Sequence, residues 1–534
     1  MIHDPFAEGV KRGWRVTDAS RLPGDMQIET DIVIVGTGAG GGTAAEIFAN
    51  AGLHVVLIEE GPLRTSSDFH MFEREAYPQL YQESAARKTK DKGITILQGR
   101  AVGGSTTVNW TASFRTPPET LAYWREHFGV KVSGEDDLTP WFAMMERRLN
   151  IQPWEEPPNE NNRALRDGAA RVGIPTKVIP RNVKGCWDLG YCGMGCPTNA
   201  KQSMLVTTIP AALAHGAHLL TRARAERFAF AGSKVTALQC RALAADGITP
   251  GAQTITVRAR QYVLASGAIG SPAVLLRSGL PDPYNLVGKR TFLHPVVASV
   301  ALMPQSVNAF SGAPQSIYSD HFLHTQPLDG PIGYKLEVPP VHPLLASNVV
   351  TGFGEAHARL MADIGKVQVI IALLRDGFNP QSPGGAVELN GDGTPLLDYP
   401  MTGYLWDGAR RALHTMARIQ FAAGAKSVLP LHEDAVPYAS PAQAHAAIDR
   451  FPMQILRTRV VSAHVMGGCA MGEDPKTSVV DSYGSHHHAG NLSVLDGSVF
   501  PTSLGTNPQL SIYGLAARNA TRLARQLGNS RTHG

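Results

Sequence analysis

The sequence predicts two units of different class: an α/β domain opened by a parallel βαβ unit, and an α+β domain built on an antiparallel sheet. Three observations predict this. Residues 31–36, DIVIVG, are almost purely apolar and β-branched, the pattern of a strand buried on both faces. A glycine turn follows at once, Gly36-Thr37-Gly38-Ala39-Gly40-Gly41-Gly42, leading into the helix-forming run TAAEIFANAG and a second apolar strand, HVVLIEEG, at 54–61. Much later, HPVVASVALMP, GKVQVIIALLR and GAVELNG are β-rich or alternating, as antiparallel strands are.

The first unit carries chemistry. Gly36, Gly38 and Gly41 fit the spacing G-x-G-x-x-G, which makes the unit Rossmann-like. A side chain there would block a pyrophosphate, which the freed N–H groups and the helix dipole otherwise meet. Glu59 lies 23 residues after Gly36, where a carboxylate can accept both ribose hydroxyls. This unit alone suits FAD and NAD equally.

Composition narrows the class. The chain has 534 residues, enough for two domain-sized cores. Its 54 glycines are about a tenth of the chain, above the usual ~7%. A net charge of +4 with no dense Lys/Arg run argues against a nucleic-acid partner. Five cysteines, unevenly placed, do not make a disulfide framework. The first residues show no basic region followed by an apolar one, and no apolar stretch reaches the ~18 residues of a membrane span. A cytoplasmic location is expected, with peripheral membrane association left open.

Two further segments are informative. Arg100-Ala101-Val102-Gly103-Gly104-Ser105-Thr106-Thr107-Val108-Asn109 is a second glycine and hydroxyl cluster. Gly267-Ala268-Ile269-Gly270-Ser271-Pro272-Ala273-Val274-Leu275-Leu276-Arg277-Ser278-Gly279 follows the strand QYVLASG. With the opening βαβ unit, these resemble the two signatures of the glucose-methanol-choline (GMC) oxidoreductases; Pro281, where the family often has glycine, departs from the pattern. The resemblance runs from about residue 25 to the C-terminus. It implies bound FAD, with Arg100, Gly103, Gly104, Ser105 and Asn109 contributing to its site. It also implies a discontinuous FAD domain (25–130, 200–290 and 457–530) and a substrate domain (131–199 and 291–456).

His464 stands in H-x-x-G-x-C, and Asn507 precedes Pro508; in the family, residues at these places face the flavin. The chemistry agrees. Loss of the hydroxyl proton makes an alcohol a hydride donor, and a neutral imidazole accepts that proton near pH 7. An asparagine N–H steadies the charge growing on oxygen, and flavin N5 takes the hydride. Asp496-Gly497 ends the strand NLSVLDGS; the resemblance implies that the acid or its backbone contacts the FAD ribityl-phosphate region, with the following helix N-terminus on the anion. His294-Pro295 matches a family position near the flavin, and a structural role suits it equally. Glu337 reads as an exposed loop glutamate and is the carboxylate to test if His464 is not the base. His486-His487-His488 reads as a solvated loop, because adjacent side chains diverge rather than converge on one metal.

Cys186, Cys192 and Cys196 lie within 11 residues, and Cys196 precedes proline. Short cysteine spacing before proline also occurs in iron–sulfur ligation, although C-x5-C-x3-C is not a ferredoxin run and a fourth local cysteine is missing. The bland alternative is a packed, reduced Cys/Gly loop beside the flavin. C-G-M-G-C-P-T-N-A-K, D-Y-P-M-T and S-A-H-V-M-G-G-C-A-M-G look most like the long-chain fatty alcohol oxidase and cholesterol oxidase-like branch. The expected activity is oxidation of a hydrophobic alcohol, long-chain or aromatic, with electrons passing to O2 or to a quinone or cytochrome. Two alternatives stand beside it: an iron–sulfur-containing catalytic subunit of a membrane-linked dehydrogenase, and a non-redox lyase that retains FAD.

Overall fold

The computed structural model describes residues 2–529. Among them, one sheet of eight strands runs Arg15–Asp18, His218–Thr221, Val55–Ile58, Met26–Val35, Pro250–Leu264, Lys234–Leu243, Ala223–Ala231, with Leu492–Val494 also paired to Pro250–Leu264. From Arg15–Asp18 to Pro250–Leu264 the pairing is parallel, and Leu492–Val494 joins in the same sense. Lys234–Leu243 and Ala223–Ala231 turn back as an antiparallel meander. The strand Met26–Val35 shows how sequence sets burial. Exposure alternates over its first half and ceases over its last five residues, where the apolar run leaves no solvated face. Helix Ala39–Asn50 packs against helices Thr208–Ala214 and Gln509–Asn529 on this layer.

A second sheet is almost wholly antiparallel: Ile94–Ile96, Val460–Ser462, Val296–Leu302, Val367–Leu374, Tyr334–Glu337, Ile317–Ser319, Lys177–Val178, with Ser427–Pro430 also on Val296–Leu302. Its strands read with period two. Val296, Ala298 and Val300 stand opposite Leu373, Ile371 and Val369 on one face. On the other face Ser299 and Gln368 hydrogen-bond Gln420 of helix Gly403–Ala422. A small sheet, Pro395–Asp398, Gly385–Leu389, Lys289–Leu293 and Val465–Gly467, joins the layers.

The chain crosses between layers at places the predicted boundaries do not mark. Helix Thr139–Arg148, expected on the substrate side, packs on helix Gln509–Asn529. Its buried Phe142 and Met145, with Leu149 beyond, cover the apolar stripe of that helix. Conversely, Ile94–Ile96 and Val460–Ser462, expected on the nucleotide side, pair in parallel at the edge of the antiparallel sheet. No helix among the described residues is long and apolar enough to cross a membrane.

Candidate active site

A cavity of about 1070 Å³ is lined from both layers, at the upper end of the range for ligand sites. One end is the glycine turn. A Cβ on Gly40 would lie 1.6 Å from the Leu495 carbonyl oxygen, and one on Gly41 2.0 Å from the Gly36 carbonyl oxygen, so these glycines let backbones pack. Gly36 has φ +98° and abuts Ala265. Gly38 differs: its nearest neighbour would be the Gly104 Cα at 4.0 Å, and both glycines face the cavity. Gly38 is also the N-cap of helix Ala39–Asn50, with no side chain capping it, so the first N–H groups remain available to an anion.

Glu59 lines the cavity at the end of its strand. Its carboxyl accepts from Thr37 N at 3.1 Å, Thr37 Oγ1 at 2.5 Å and Gly61 N at 2.9 Å, and burial pushes its pKa up. These residues fit a dinucleotide: an open turn for the pyrophosphate and a carboxyl group for the ribose. Arg100, Gly104, Ser105, Asn109, Asp496, Gly497 and Pro508 also line the cavity. Gly103 stands behind the wall, its N–H on Thr37 Oγ1 at 3.0 Å. Asp496 keeps its place in the cavity wall, with its backbone beside Gly497. Its carboxylate is engaged by Gly267 N, Ser271 Oγ, Ser498 N and Ser498 Oγ, so it ties the wall together. Past the short turn Gly497–Val499, the next α-helix, Gln509–Asn529, starts at the cavity, where Pro508, Gln509 and Ile512 line it.

The other end is a seam where two strands leave the small sheet for the antiparallel one. Leu293 pairs with Val465, and beyond the crossing Val296 pairs with Val461. His294 and His464 therefore meet, Nδ1 to Nδ1, at 3.0 Å. Gly505 N–H donates to His294 Nε2 at 3.1 Å. That nitrogen is therefore bare, the neutral ring's proton sits on Nδ1, and it is donated to His464. Neutral His464 then carries its own proton on Nε2. To accept at Nε2 it needs the other tautomer, which sets two N–H groups against each other at Gly505, at about 1–3 kcal/mol. Burial pushes His464 down to about 4, with Glu337 opposing and Lys335 reinforcing. Burial, then His464, Lys335 and Arg375, holds His294 well below an ordinary imidazole.

Asn507 also lines the cavity, just before helix Gln509–Asn529. Its Oδ1 accepts from Lys335 Nζ at 2.8 Å, and its Nδ2 donates to Glu337 Oε2 at 3.3 Å. Lys335 and Glu337 pair at 2.9 Å, both buried. Glu337 is thus no exposed loop residue. It ends strand Tyr334–Glu337, in register with Ile371 on the cavity-facing side. His294, Lys335 and Glu337 complete the constellation: the sequence points to His464 and Asn507 as catalytic, to His294 as a flavin-side or structural histidine and to Glu337 as a reserve carboxylate, and it gives no sign of Lys335.

Cys186, Cys192 and Cys196 are free and partly buried, each held by its own neighbour: Asp188 N, Arg181 Nη2 and Thr198 Oγ1. Among the described residues no group of three or more His, Cys, Asp or Glu is placed to hold a metal ion. The loop packs behind the cavity wall, with Tyr81 Oη donating to the Gly193 carbonyl at 2.6 Å. The histidine triplet is not a solvated loop. His486 is buried, and His487 Nε2 lies 3.0 Å from Ser478 Oγ.

Residues 77–296 match the N-terminal part, and residues 380–516 the C-terminal part, of the family described as GMC oxidoreductase. A GMC-type oxidoreductase of Mycobacterium tuberculosis is 30% identical over 491 residues, covering 91% of this chain and 74% of its own. A long-chain-alcohol oxidase of Arabidopsis thaliana is 28% identical over 515 residues, covering 92% of this chain and 68% of its own. Among solved structures, pyridoxine 4-oxidase from Mesorbium loti superposes with a TM-score of 0.68 at 20% identity, covering 92% of this chain and 99% of its own.

Proposed function

This chain belongs to the GMC oxidoreductase family and is an FAD-dependent alcohol oxidoreductase; from that premise we propose that it oxidises an apolar alcohol, long-chain or aromatic, to the carbonyl compound. The observation that carries the substrate class is an apolar wall lining the same cavity as His464 and Asn507. Val296, Ala298, Val300, Val367, Val369, Ile371 and Leu373 supply it from two paired strands. An alkyl or aryl group gains about 25 cal/mol per Å² on leaving water for such a surface. A polyhydroxylated sugar would lose its water there without hydrogen bonds in exchange.

In this reading the hydroxyl oxygen binds between His464 and Asn507. Asn507 N–H holds the oxygen as charge grows on it. His464, in its less favoured tautomer, takes the hydroxyl proton at Nε2. FAD, when bound, supplies the acceptor for the hydride. Electrons then pass to O2 or to a quinone or cytochrome, and the likeness to alcohol oxidases favours O2.

The test is anaerobic titration of the holoenzyme with primary alcohols from butanol to dodecanol, benzyl alcohol and glucose. Bleaching of the visible flavin band that strengthens with chain length or with the aromatic ring is expected. Bleaching by glucose alone would overturn the substrate class. No bleaching with any alcohol would sink the redox reading and favour a lyase.

A further inference from the structure

Lys335 is a buried ammonium that the reaction does not consume, and its surroundings are specific. Nζ stands 3.3 Å from the Phe114 ring centroid and 4.5 Å from that of Tyr318, donates to Asn507 Oδ1 at 2.8 Å, and pairs with Glu337 at 2.9 Å. We propose that Lys335 is a positioning residue that captures the Asn507 side-chain oxygen, so that the amide turns its N–H groups to Glu337 and to the cavity.

An asparagine's oxygen and NH2 have nearly the same shape, so only partners decide which way it faces. Here both partners vote for one orientation. Flipped, the amide would set NH2 against an ammonium and oxygen against a carboxylate, two repulsive contacts in a dry site. With Oδ1 on Lys335 and one N–H on Glu337, the second N–H has no protein acceptor among the described residues, and Asn507 borders the cavity. Register explains the delivery. Lys335 and Glu337 are two residues apart on one strand, opposite Leu373 and Ile371, so both charges share the cavity-facing side of the sheet. Such an ion pair is weak evidence of stabilisation, because apolar residues of the same volume often do as well. Fixing an amide's direction is something apolar residues cannot do.

This inference rests on the proposed alcohol oxidation, and its test separates the two. Because Lys335→Met alone would strand a buried carboxylate, the comparison uses Glu337→Gln as background. In FAD-loaded full-length protein, adding Lys335→Met to Glu337→Gln should slow flavin reduction at saturating 1-octanol by about tenfold or more, while the apparent Kd for octanol moves less than about threefold. Adding the same Lys335→Met to Asn507→Ala/Glu337→Gln should change the rate little, since the residue it acts through is gone. A rate within about twofold of the Glu337→Gln parent, or an equal loss in both backgrounds, overturns the proposal. If no alcohol reduces even the wild type, the oxidation reading fails, and thermal unfolding decides the positioning. Asn507→Asp should lower the unfolding midpoint by several degrees beside Glu337 and by much less beside Gln at 337. An equal loss in both backgrounds would show that no Asn507 N–H rests on Glu337.

Discussion

The nucleotide cradle and the histidine seam occupy two ends of one cavity and are built on opposite plans. The cradle's first part comes from one continuous stretch, residues 36–59, and works mainly through backbone: absent side chains at Gly36, Gly38 and Gly40, and uncapped N–H groups at a helix start. The seam gathers His294, Lys335, Glu337, His464 and Asn507 from separate strands and a helix entry, and works through side-chain hydrogen bonds. The cradle should therefore be intolerant of added atoms and indifferent to proton positions. The seam should be the reverse.

Adding atoms to the cradle gives the largest effect. Gly38→Val extends into open cavity, so the chain should fold and emerge colourless, without FAD. Gly40→Ala would press into the Leu495 carbonyl, so it should lower soluble yield and apoprotein unfolding temperature whether or not FAD is supplied. The FAD-to-protein ratio and apoprotein melting separate the two. Gly38→Val protein holding one FAD per chain would show that the pyrophosphate does not cross that turn.

At the seam, removing a side chain should spare the cofactor and slow the chemistry. His464→Ala should remain yellow yet reduce its flavin ~10²–10⁴-fold more slowly, the usual loss on removing a positioned base. Asn507→Ala should also slow reduction. Because both touch one oxygen, the double variant should lose less than the product of the single losses. If rapid mixing finds His464→Ala within about threefold of wild type, with FAD occupancy checked, the base lies elsewhere, and Glu337 is the next carboxylate to vary.

The difference in plan also decides what the sequence reveals. A βαβ unit is local, so strand, turn, helix and acid appear in reading order and Glu59 is found by counting. The seam depends on register. Nothing near His294 announces that Leu293 pairs with Val465, 172 positions later. His464 and Asn507 were reached through family motifs. Lys335-Leu336-Glu337 alternates charged and apolar residues, as a strand with one watered face does. The strand is real, but its charged side is covered by Phe114, Tyr318 and Asn507 rather than by solvent. Period two tells which residues share a face and is silent about what covers it. Helix Thr139–Arg148 makes the same point: its apolar stripe is legible, its partner, helix Gln509–Asn529, is not.

Glu59→Ala returns to the cradle with a smaller effect. Removing a carboxyl group at the adenosine end should speed FAD loss on dialysis, while the holoenzyme that remains turns over at nearly the wild-type rate. Equal retention by both proteins would count against the ribose role.

The smallest effect is in pH, and it belongs to the seam. An ordinary histidine titrates near ~6.5, but burial pushes His464 down to about 4. The base is therefore neutral over most of the accessible range. Flavin reduction should rise with pH through about 4 and then flatten, with no limb at the ordinary histidine value. The same shift links to stability, and its sign follows from proton counting. Between the unfolded value of ~6.5 and the folded value of about 4, the unfolded chain binds a proton that the folded chain refuses. Stability should therefore fall as pH drops through that window. His294, lowered in the same direction, adds to the slope. Denaturant titrations across the window should show a shallower fall for His464→Gln than for wild type, though not a flat line, because His294 remains. A reduction limb near pH ~6.5 that vanishes in His464→Gln would keep the base and overturn the buried environment. An unchanged limb in that variant would instead remove His464 from proton transfer and leave it as a donor to the substrate oxygen, the role its resting tautomer already fits.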